Sequence, residues 1–211
     1  MRARRCASAH FRHNDPESLR SVLRMARANI DRAVVVLEGH HSMDGTVGRL
    51  PEIASFAREF DCAVMVDEAH SLGVFVADGR GVREHFGLPG DAVDIWMGTL
   101  SKALGSCGGF VAGDADLIDA MKAAAPGVAM LSGGPAPSTI GAALALAILH
   151  MEPQRLTRLW PNTDFFRGLL VERDLDLGVS EGTPEQLRST ADELAEAVRV
   201  AEALLAIDGI G

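Results

Sequence analysis

The chain alternates between short apolar runs and longer stretches in which apolar residues recur every three or four positions. Four runs have the length and apolar character of buried strands, near residues 33–37, 62–66, 93–97 and 108–112. Such runs are typical of parallel strands, because helices cover both faces of a parallel sheet. The pattern therefore predicts an α/β fold with a mainly parallel sheet and helices on both faces.

Helical periodicity fills the stretches between these runs. We expect helices over about 16–28, 50–60, 82–86 and 114–124. At the first of them, Asp15 is suited to the N-cap and Pro16 to the first turn, where a missing N–H leaves no hydrogen bond unmade. The second joins two predicted strands, as a parallel strand-helix-strand unit requires.

The carboxyl-terminal part is predicted to be helical. Residues 140–149 are apolar at nearly every position, so we expect this helix to be buried all round. A long amphipathic helix is expected to begin at Pro153, and a last one near Thr183, where a capping box occurs. We place a domain boundary after residue 150, which divides the chain into segments 1–150 and 151–211.

Composition narrows the class of protein. The chain has 211 residues, 47% of them hydrophobic and 23% charged, with a net charge of −9 that argues against binding to nucleic acid. The basic opening is not followed by an apolar signal region, and no apolar run approaches a membrane span, so we expect a cytoplasmic protein without a membrane partner. Three scattered cysteines are too few for a disulfide framework or a zinc site.

Three polar residues lie where predicted strands end. Asp67 and His70 follow the run at 62–66, and Lys102 lies in a loop of small residues after the run at 93–97. Because ligands bind at the carboxyl ends of parallel strands, the three side chains are expected to converge. A carboxylate, an imidazole and a nucleophilic lysine suit pyridoxal phosphate, whose ring nitrogen pairs with an acid and whose aldehyde forms an imine with a lysine.

The adjacent residues His40 and His41, which precede Asp44, raise the alternative of a metal site. Neighbouring residues on an extended chain point to opposite faces, and no third histidine or cysteine lies at ligand spacing along the sequence. We therefore predict no metal site, and expect Asp44 and Gly45 to form a turn.

Four segments carry a resemblance to a known family. They are FRHND at 11–15, EGHHSMDG at 38–45, VDEAHSLG at 66–73 and GTLSKALGSCGG at 98–109. In this order they resemble the α-oxoamine synthases, which are fold-type-I enzymes dependent on pyridoxal phosphate. The group includes serine palmitoyltransferase, 8-amino-7-oxononanoate synthase, 5-aminolevulinate synthase and 2-amino-3-ketobutyrate CoA ligase. The resemblance implies that segment 1–150 is part of the large cofactor-binding domain and that 151–211 is a helical remnant of the small domain.

The resemblance also implies an activity and a set of site residues. The family condenses an amino acid with an acyl-CoA or acyl-carrier thioester, releases carbon dioxide and forms an α-aminoketone, as a homodimer. Lys102, Asp67 and His70 correspond to its catalytic residues. The residues implied at the cofactor are Lys102, Asp67, His70, Thr99, Ser42 and Ser132. Thr99 and Ser132 are implied to contact the phosphate, Ser132 from the neighbouring subunit.

The chain departs from the family pattern in two places. Relative to the family it begins near the middle of the large domain, so the upstream glycine-rich phosphate loop and the aromatic residue that stacks on the ring have no counterpart. A second block, with the arginine that binds the substrate carboxylate, has no counterpart between Gly178 and Thr183. The alternatives are therefore another fold-type-I enzyme, such as an aminotransferase, and a catalytically inactive fragment. We expect the chain alone to hold the cofactor weakly and to release no carbon dioxide.

Overall fold

Four strands form one sheet in the order β1-β2-β3-β4, in a computed structural model that describes residues 7–76, 78–125 and 134–179. The strands are β1 (Val34–Glu38), β2 (Ala63–Asp67), β3 (Ile95–Thr99) and β4 (Gly109–Gly113). The first three are parallel, and β4 pairs with β3 in the antiparallel direction. The predicted sheet is confirmed, although each predicted strand begins one or two residues too early.

Six helices accompany the sheet in the described ranges. They are α1 (Pro16–Ala26), α2 (Leu50–Glu59), α3 (Val82–His85), α4 (Ala115–Ala124), α5 (Ala136–Met151) and α6 (Gln154–Val171). Asp15 caps α1 as predicted, since its Oδ1 accepts a hydrogen bond of 2.9 Å from the backbone N–H of Ser18. None of these helices combines the length and the hydropathy that a bilayer span requires.

The main core lies between the sheet and the first two helices. Val35 and Leu37 on β1 alternate with Val34 and Val36, which are 54% and 56% exposed. The buried members pack with residues of α1, α2 and β2, such as Leu19, Ile53 and Val66. In the described ranges, the cover over β1 therefore lies on one face, whereas the opposite face remains exposed at these two valines.

Helix α5 is not buried all round in the single chain, contrary to expectation. Of its described residues only Ala142 is buried, whereas Ile140 is 67% exposed and Leu144 58% exposed. An apolar sequence shows that a helix needs cover but does not show which surface supplies it. The described residues of this chain leave this side of α5 uncovered.

Helix α6 packs against the loop that follows β2. The indole of Trp160 donates a hydrogen bond of 3.1 Å to the carbonyl oxygen of Val74, and its ring contacts Phe75 edge-on at 5.6 Å. Further along α6, Phe166 and Leu170 form a separate small cluster. Residues 180–211, where the last helix was predicted, lie outside the described ranges, and the boundary after residue 150 stays a prediction.

Candidate active site

The carboxyl ends of the three parallel strands lie side by side. Glu38, the last residue of β1, is in register with Asp67 on β2, and Asp67 is in register with Met97 on β3. The backbone N–H of Gly39 donates to the carbonyl oxygen of Asp67 over 2.8 Å and extends this pairing beyond β1. The loops that follow the strands therefore leave the sheet at its carboxyl-terminal end, where ligands of such sheets bind.

Lys102 and His70 meet at the carboxyl-terminal end of the sheet. The Nζ of Lys102 lies 2.5 Å from Nε2 of His70, although the residues are 32 positions apart and belong to loops after different strands. An amine and an imidazole in contact can exchange a proton, because an imidazole titrates near neutral pH. Lys102 is exposed, so its amine is also accessible to a carbonyl compound.

Asp67 is held by its own loop. Its Oδ1 accepts a hydrogen bond of 2.8 Å from the backbone N–H of Ala69, and the residue is half-buried. This local bond fixes the direction of the carboxylate as the chain leaves β2. The structure thus brings Lys102 to His70. Asp67 is the last residue of β2, and His70 lies in the loop that follows it.

Hydrogen bonds to Glu68 hold the loop that carries His70 in place. This carboxyl is 6% exposed, and its Oε2 accepts hydrogen bonds from the hydroxyl of Ser71 and from the backbone N–H of Val82. Burial raises the pKa of Glu68, while the hydrogen bonds from Ser71 and Val82 oppose that change. Glu68 was not singled out in the sequence, because its neighbours Asp67 and His70 carry the recognisable chemistry.

A second support comes from His40, which is fully buried. Its Nδ1 lies 3.3 Å from the carbonyl oxygen of His70, and its Nε2 lies 3.1 Å from that of Gly45. His40 therefore connects the loop after β1 to the loop after β2. Its ring also contacts Phe75, with 4.7 Å between the ring centroids.

The other predicted cofactor residues are bound within their own loops. The hydroxyl of Thr99 donates to the carbonyl oxygen of Gly108 over 3.1 Å and accepts from the backbone N–H of Ser101. The backbone N–H of Ser42 donates to Oε2 of Glu38 over 2.8 Å. Ser132 lies outside the described residues.

Two of the cavities lined by described residues lie near the sheet, and the smaller of these two is lined by a predicted site residue. A cavity of about 370 Å³ is lined by Asp67 and Glu38 together with residues of the leading segment 11–14. A cavity of about 600 Å³ is lined instead by residues such as Glu68, Trp96 and Phe110. The smaller volume is large enough for a compact cofactor, and Asp67 places it at the strand ends. Neither Lys102 nor His70 is among the residues that line these two cavities, so we define the candidate site by the contact between their side chains.

A third histidine lies close to His41 in space, although the sequence places none at ligand spacing, and the absence of a metal site stays a prediction. His13 lies 28 residues before His41, yet their rings are in edge-on contact with centroids 4.4 Å apart. The Nε2 of His13 is 2.8 Å from Oδ2 of Asp44, and the ligand atoms of the three residues lie within 4.8 Å of one another. The predicted turn is present at Gly45, which has a φ of 68°. Spacing along the chain could not reveal this cluster, because the leading segment folds back onto the turn.

Comparison with known proteins places the chain in a family. Residues 1–206 match the family described as aminotransferase class I and II. Serine palmitoyltransferase of Sphingobacterium spiritivorum is 44% identical over 173 residues, which are 81% of this chain and 42% of that protein. The 8-amino-7-oxononanoate synthase of Symbiobacterium thermophilum is 38% identical over 196 residues, which are 92% of this chain and 49% of that protein.

Solved structures show the same similarity. A high-resolution structure of SPT with a pyridoxal phosphate internal aldimine is 34% identical with a TM-score of 0.72, covering 82% of this chain and 43% of that one. Serine palmitoyltransferase of Sphingomonas wittichii is 29% identical with a TM-score of 0.71, covering 84% and 43%. The chain thus spans less than half the length of these two structures and about half that of its curated relatives. With its strand-end lysine and histidine, the chain belongs to the aminotransferase class I and II family, in the α-oxoamine synthase group.

Proposed function

We propose that this chain carries the lysine site of a pyridoxal-phosphate-dependent acyltransferase. The enzyme would condense an amino acid with an acyl-CoA or acyl-carrier thioester, release carbon dioxide and form an α-aminoketone. The observation that carries the proposal is the contact of 2.5 Å between Lys102 Nζ and His70 Nε2 at the ends of the parallel strands. Similarity to serine palmitoyltransferase and 8-amino-7-oxononanoate synthase supports the reaction class.

The residues at the carboxyl ends of these strands fit the cofactor. Lys102 offers an exposed amine, Asp67 a half-buried carboxylate and Thr99 a hydroxyl at the end of β3. Lys102 would hold the cofactor, Asp67 would pair with its ring nitrogen, and Thr99 would donate to its phosphate, with Ser42 beside it and Ser132 as a second phosphate contact. When bound, pyridoxal phosphate withdraws electrons from the α-carbon of an amino acid.

The chain's own residues can then move and hold protons. The amine of Lys102 would take a proton from a substrate carbon, because a lysine beside an imidazole can exchange its proton with that ring. His70 would orient the lysine and donate to a substrate carbonyl oxygen. Glu68 and His40 keep the His70 loop in place through the hydrogen bonds described above.

The proposal can be tested sharply because the sequence contains only two lysines, Lys102 and Lys122. The chain is incubated with pyridoxal phosphate and reduced with borohydride, and the modified lysine is mapped by mass spectrometry. Although the missing segments predict weak binding, the contact of Lys102 with His70 leads us to expect more labelling there than at Lys122, which lies on α4 and pairs with Asp119 at 3.0 Å. Lys102→Ala should abolish the preferential label, whereas the matched control Lys122→Ala should retain it.

Equal labelling of both lysines, or a label unaffected by Lys102→Ala, would contradict a cofactor site at Lys102. The reaction itself is tested in a protein of the relatives' full length that contains this chain, by release of carbon dioxide that requires both an amino acid and an acyl thioester. Transfer of the amino group without release of carbon dioxide would instead indicate an aminotransferase.

We also propose that the active form is a homodimer in the cytoplasm. Helix α5 exposes Ile140 and Leu144 on one side, and a second copy of the chain is a partner that could cover them. Cys62 and Cys107 are free thiols, which is the usual state in a reducing compartment. Sedimentation measures the assembly directly, and a monomer at high protein concentration would argue against the dimer.

A further inference from the structure

A second cluster of polar side chains lies beside the candidate site and has no part in the proposed reaction. It consists of His13, His41, Asp44 and Thr46, and we name it the His-Asp cluster. From its geometry we propose that the His-Asp cluster binds one divalent transition-metal ion, with Zn²⁺ as the best-matched metal. Two imidazoles and one carboxylate are a ligand set that zinc accepts, with a fourth position for a hydroxyl or water.

The ligand atoms converge from two separate parts of the chain. His13 comes from the leading segment, whereas His41 and Asp44 lie in the turn after β1. Their ligand atoms lie within 4.8 Å of one another, and Nε2 of His13 is already 2.8 Å from Oδ2 of Asp44. In a tetrahedral zinc site the ligand atoms are about 3.4 Å apart, so small side-chain rotations reach the required geometry.

Thr46 contacts all three proposed ligands through its hydroxyl and leaves the fourth position to water. Its hydroxyl oxygen lies 3.0 Å from Nε2 of His13 and 3.2 Å from Nδ1 of His41. The same hydroxyl donates to Oδ1 of Asp44 over 2.9 Å, and the backbone N–H of Thr46 donates to that oxygen over 3.1 Å. Thr46 thereby holds the carboxylate with Oδ2 toward His13, as second-sphere residues orient ligands in metal sites.

The carboxylate of Asp44 is held inside the fold. Asp44 is 7% exposed, and its two oxygens are contacted by Thr46 and His13. A carboxylate that neighbouring groups already orient needs little rearrangement to bind an ion.

An ion can reach the cluster without unfolding. His13 and His41 both line the cavity of about 370 Å³. The side chain of His13 is 52% exposed, so its imidazole can turn to close the site. Of the two adjacent histidines, only His41 belongs to the cluster, because His40 contacts the carbonyl oxygens of Gly45 and His70.

The competing explanation is a hydrogen-bonded network that only fastens the leading segment to the turn. Both explanations predict that loss of Asp44 destabilises the fold, so Asp44 variants do not separate them. They differ at His41, where Phe keeps a ring of similar shape but offers no nitrogen. In His41→Phe a pure network loses the contacts of Nδ1 with the carbonyl oxygen of Thr46 at 3.0 Å and with its hydroxyl at 3.2 Å, whereas a metal site loses a ligand.

The experiment is a titration of the full chain, free of cofactor and phosphate, with Zn²⁺ alone, followed by calorimetry. We expect one Zn²⁺ per chain, and weakening of binding by more than about 100-fold in His41→Phe and in His13→Gln. Thr46→Val should weaken binding by about 10- to 100-fold, the effect of losing an orienting partner. The control variant His150→Ala removes an exposed histidine from α5 and should bind zinc as the unchanged chain does.

X-ray absorption of the zinc-loaded unchanged chain provides a measurement that depends on no variant. Two imidazoles with only oxygen as the remaining ligands would support the site. A sulfur ligand would indicate a site at one of the cysteines and overturn the assignment, as would stoichiometric binding that persists in folded His41→Phe. Failure of the unchanged chain to bind Zn²⁺ would leave the hydrogen-bonded network as the explanation. None of these outcomes depends on the proposed acyltransferase activity.

Discussion

The indole N–H of Trp160 donates to the carbonyl oxygen of Val74 over 3.1 Å, across 86 residues of sequence. Val74 lies in the loop that begins with His70, and the neighbouring Phe75 contacts both Trp160 and His40. Helix α6 therefore contacts the loop at Val74 and Phe75, and the same loop carries the candidate catalytic residue His70 at its start. Positions far along the chain are thus expected to affect the geometry of the site.

Trp160→Phe tests this support. The variant keeps an aromatic ring against Phe75 but leaves the carbonyl of Val74 without its donor, so we expect the free energy of unfolding to fall by about 1 kcal/mol. Urea unfolding followed by circular dichroism measures the change. The matched control is Trp96→Phe. The indole of Trp96 donates to the carbonyl oxygen of Gly90 at an exposed position, so this variant should lose less free energy of unfolding. Equal losses in both variants would show that the Trp160 bond has no special role.

Glu68 predicts a pH dependence of stability with a defined sign. Burial raises the pKa of Glu68 above its ordinary value of 4.5, so the folded chain binds this proton more tightly than the unfolded chain does. The stabilising contribution is complete below 4.5 and is lost as pH rises through the folded-state pKa. Glu68→Gln removes this dependence, so the variant should gain stability relative to the unchanged chain as pH increases.

Urea unfolding at intervals between about pH 4 and pH 8 measures this difference. Glu52→Gln is the control, because the hydrogen bond from Arg49 lowers the pKa of Glu52 and gives a dependence of opposite sign. That effect should be small, since the Glu52 side chain is 45% exposed. A stability difference for Glu68→Gln that is flat with pH would mean that Glu68 is ionised in the folded chain at the same pH as in the unfolded chain.

Gly81 is constrained in two ways, and a second glycine separates them. Its φ is +75°, and an added Cβ would collide with the buried carboxylate of Glu68. Gly87 has a similar φ of +61° but no atom within 4 Å of the position of a Cβ. We expect Gly87→Ala to cost about 1 kcal/mol from backbone strain alone, and Gly81→Ala about 2–4 kcal/mol, because the collision adds to the strain. Equal costs would show that the Glu68 carboxylate can move aside.

The exposed side of α5 predicts an effect on assembly. Leu144 is 58% exposed in the single chain, and Leu144→Lys places a charge there. We therefore expect a shift from dimer to monomer with little loss of folding stability. Met25→Lys is the matched control, since Met25 is 70% exposed on α1. Sedimentation velocity distinguishes the two. A dimer that persists in Leu144→Lys would place the interface elsewhere.

Apolar runs were sufficient to predict the sheet, and local side-chain bonds explain the errors in its boundaries. The run at 93–97 predicted a strand that begins two residues before β3. In the structure, Oδ2 of Asp94 accepts the backbone N–H of Val64 over 2.7 Å, in place of a carbonyl of the ladder. A polar side chain can thus take over a strand hydrogen bond, which the hydrophobic pattern does not indicate.

The site was predictable where its residues follow strand ends, as Lys102 and His70 do. It was not predictable where contact depends on how a loop folds back. His13 reaches Asp44 only because the leading segment returns to the turn after β1, with the side chain of Asn14 donating to the carbonyl oxygen of Val47 over 2.8 Å. Burial of Glu68 likewise depends on the later segment around Val82 closing over it.

Strand β4 has a consequence for handling the protein. It lies at the end of the sheet order and pairs only with β3 among the described strands, and all five of its residues are exposed. Its sequence, Gly-Phe-Val-Ala-Gly, contains neither a charge nor a proline, the usual devices that keep an outer strand from recruiting another chain. Unless another segment pairs with this edge, concentrated preparations should form open-ended aggregates by strand addition, and a lysine in place of Val111 should keep them in solution.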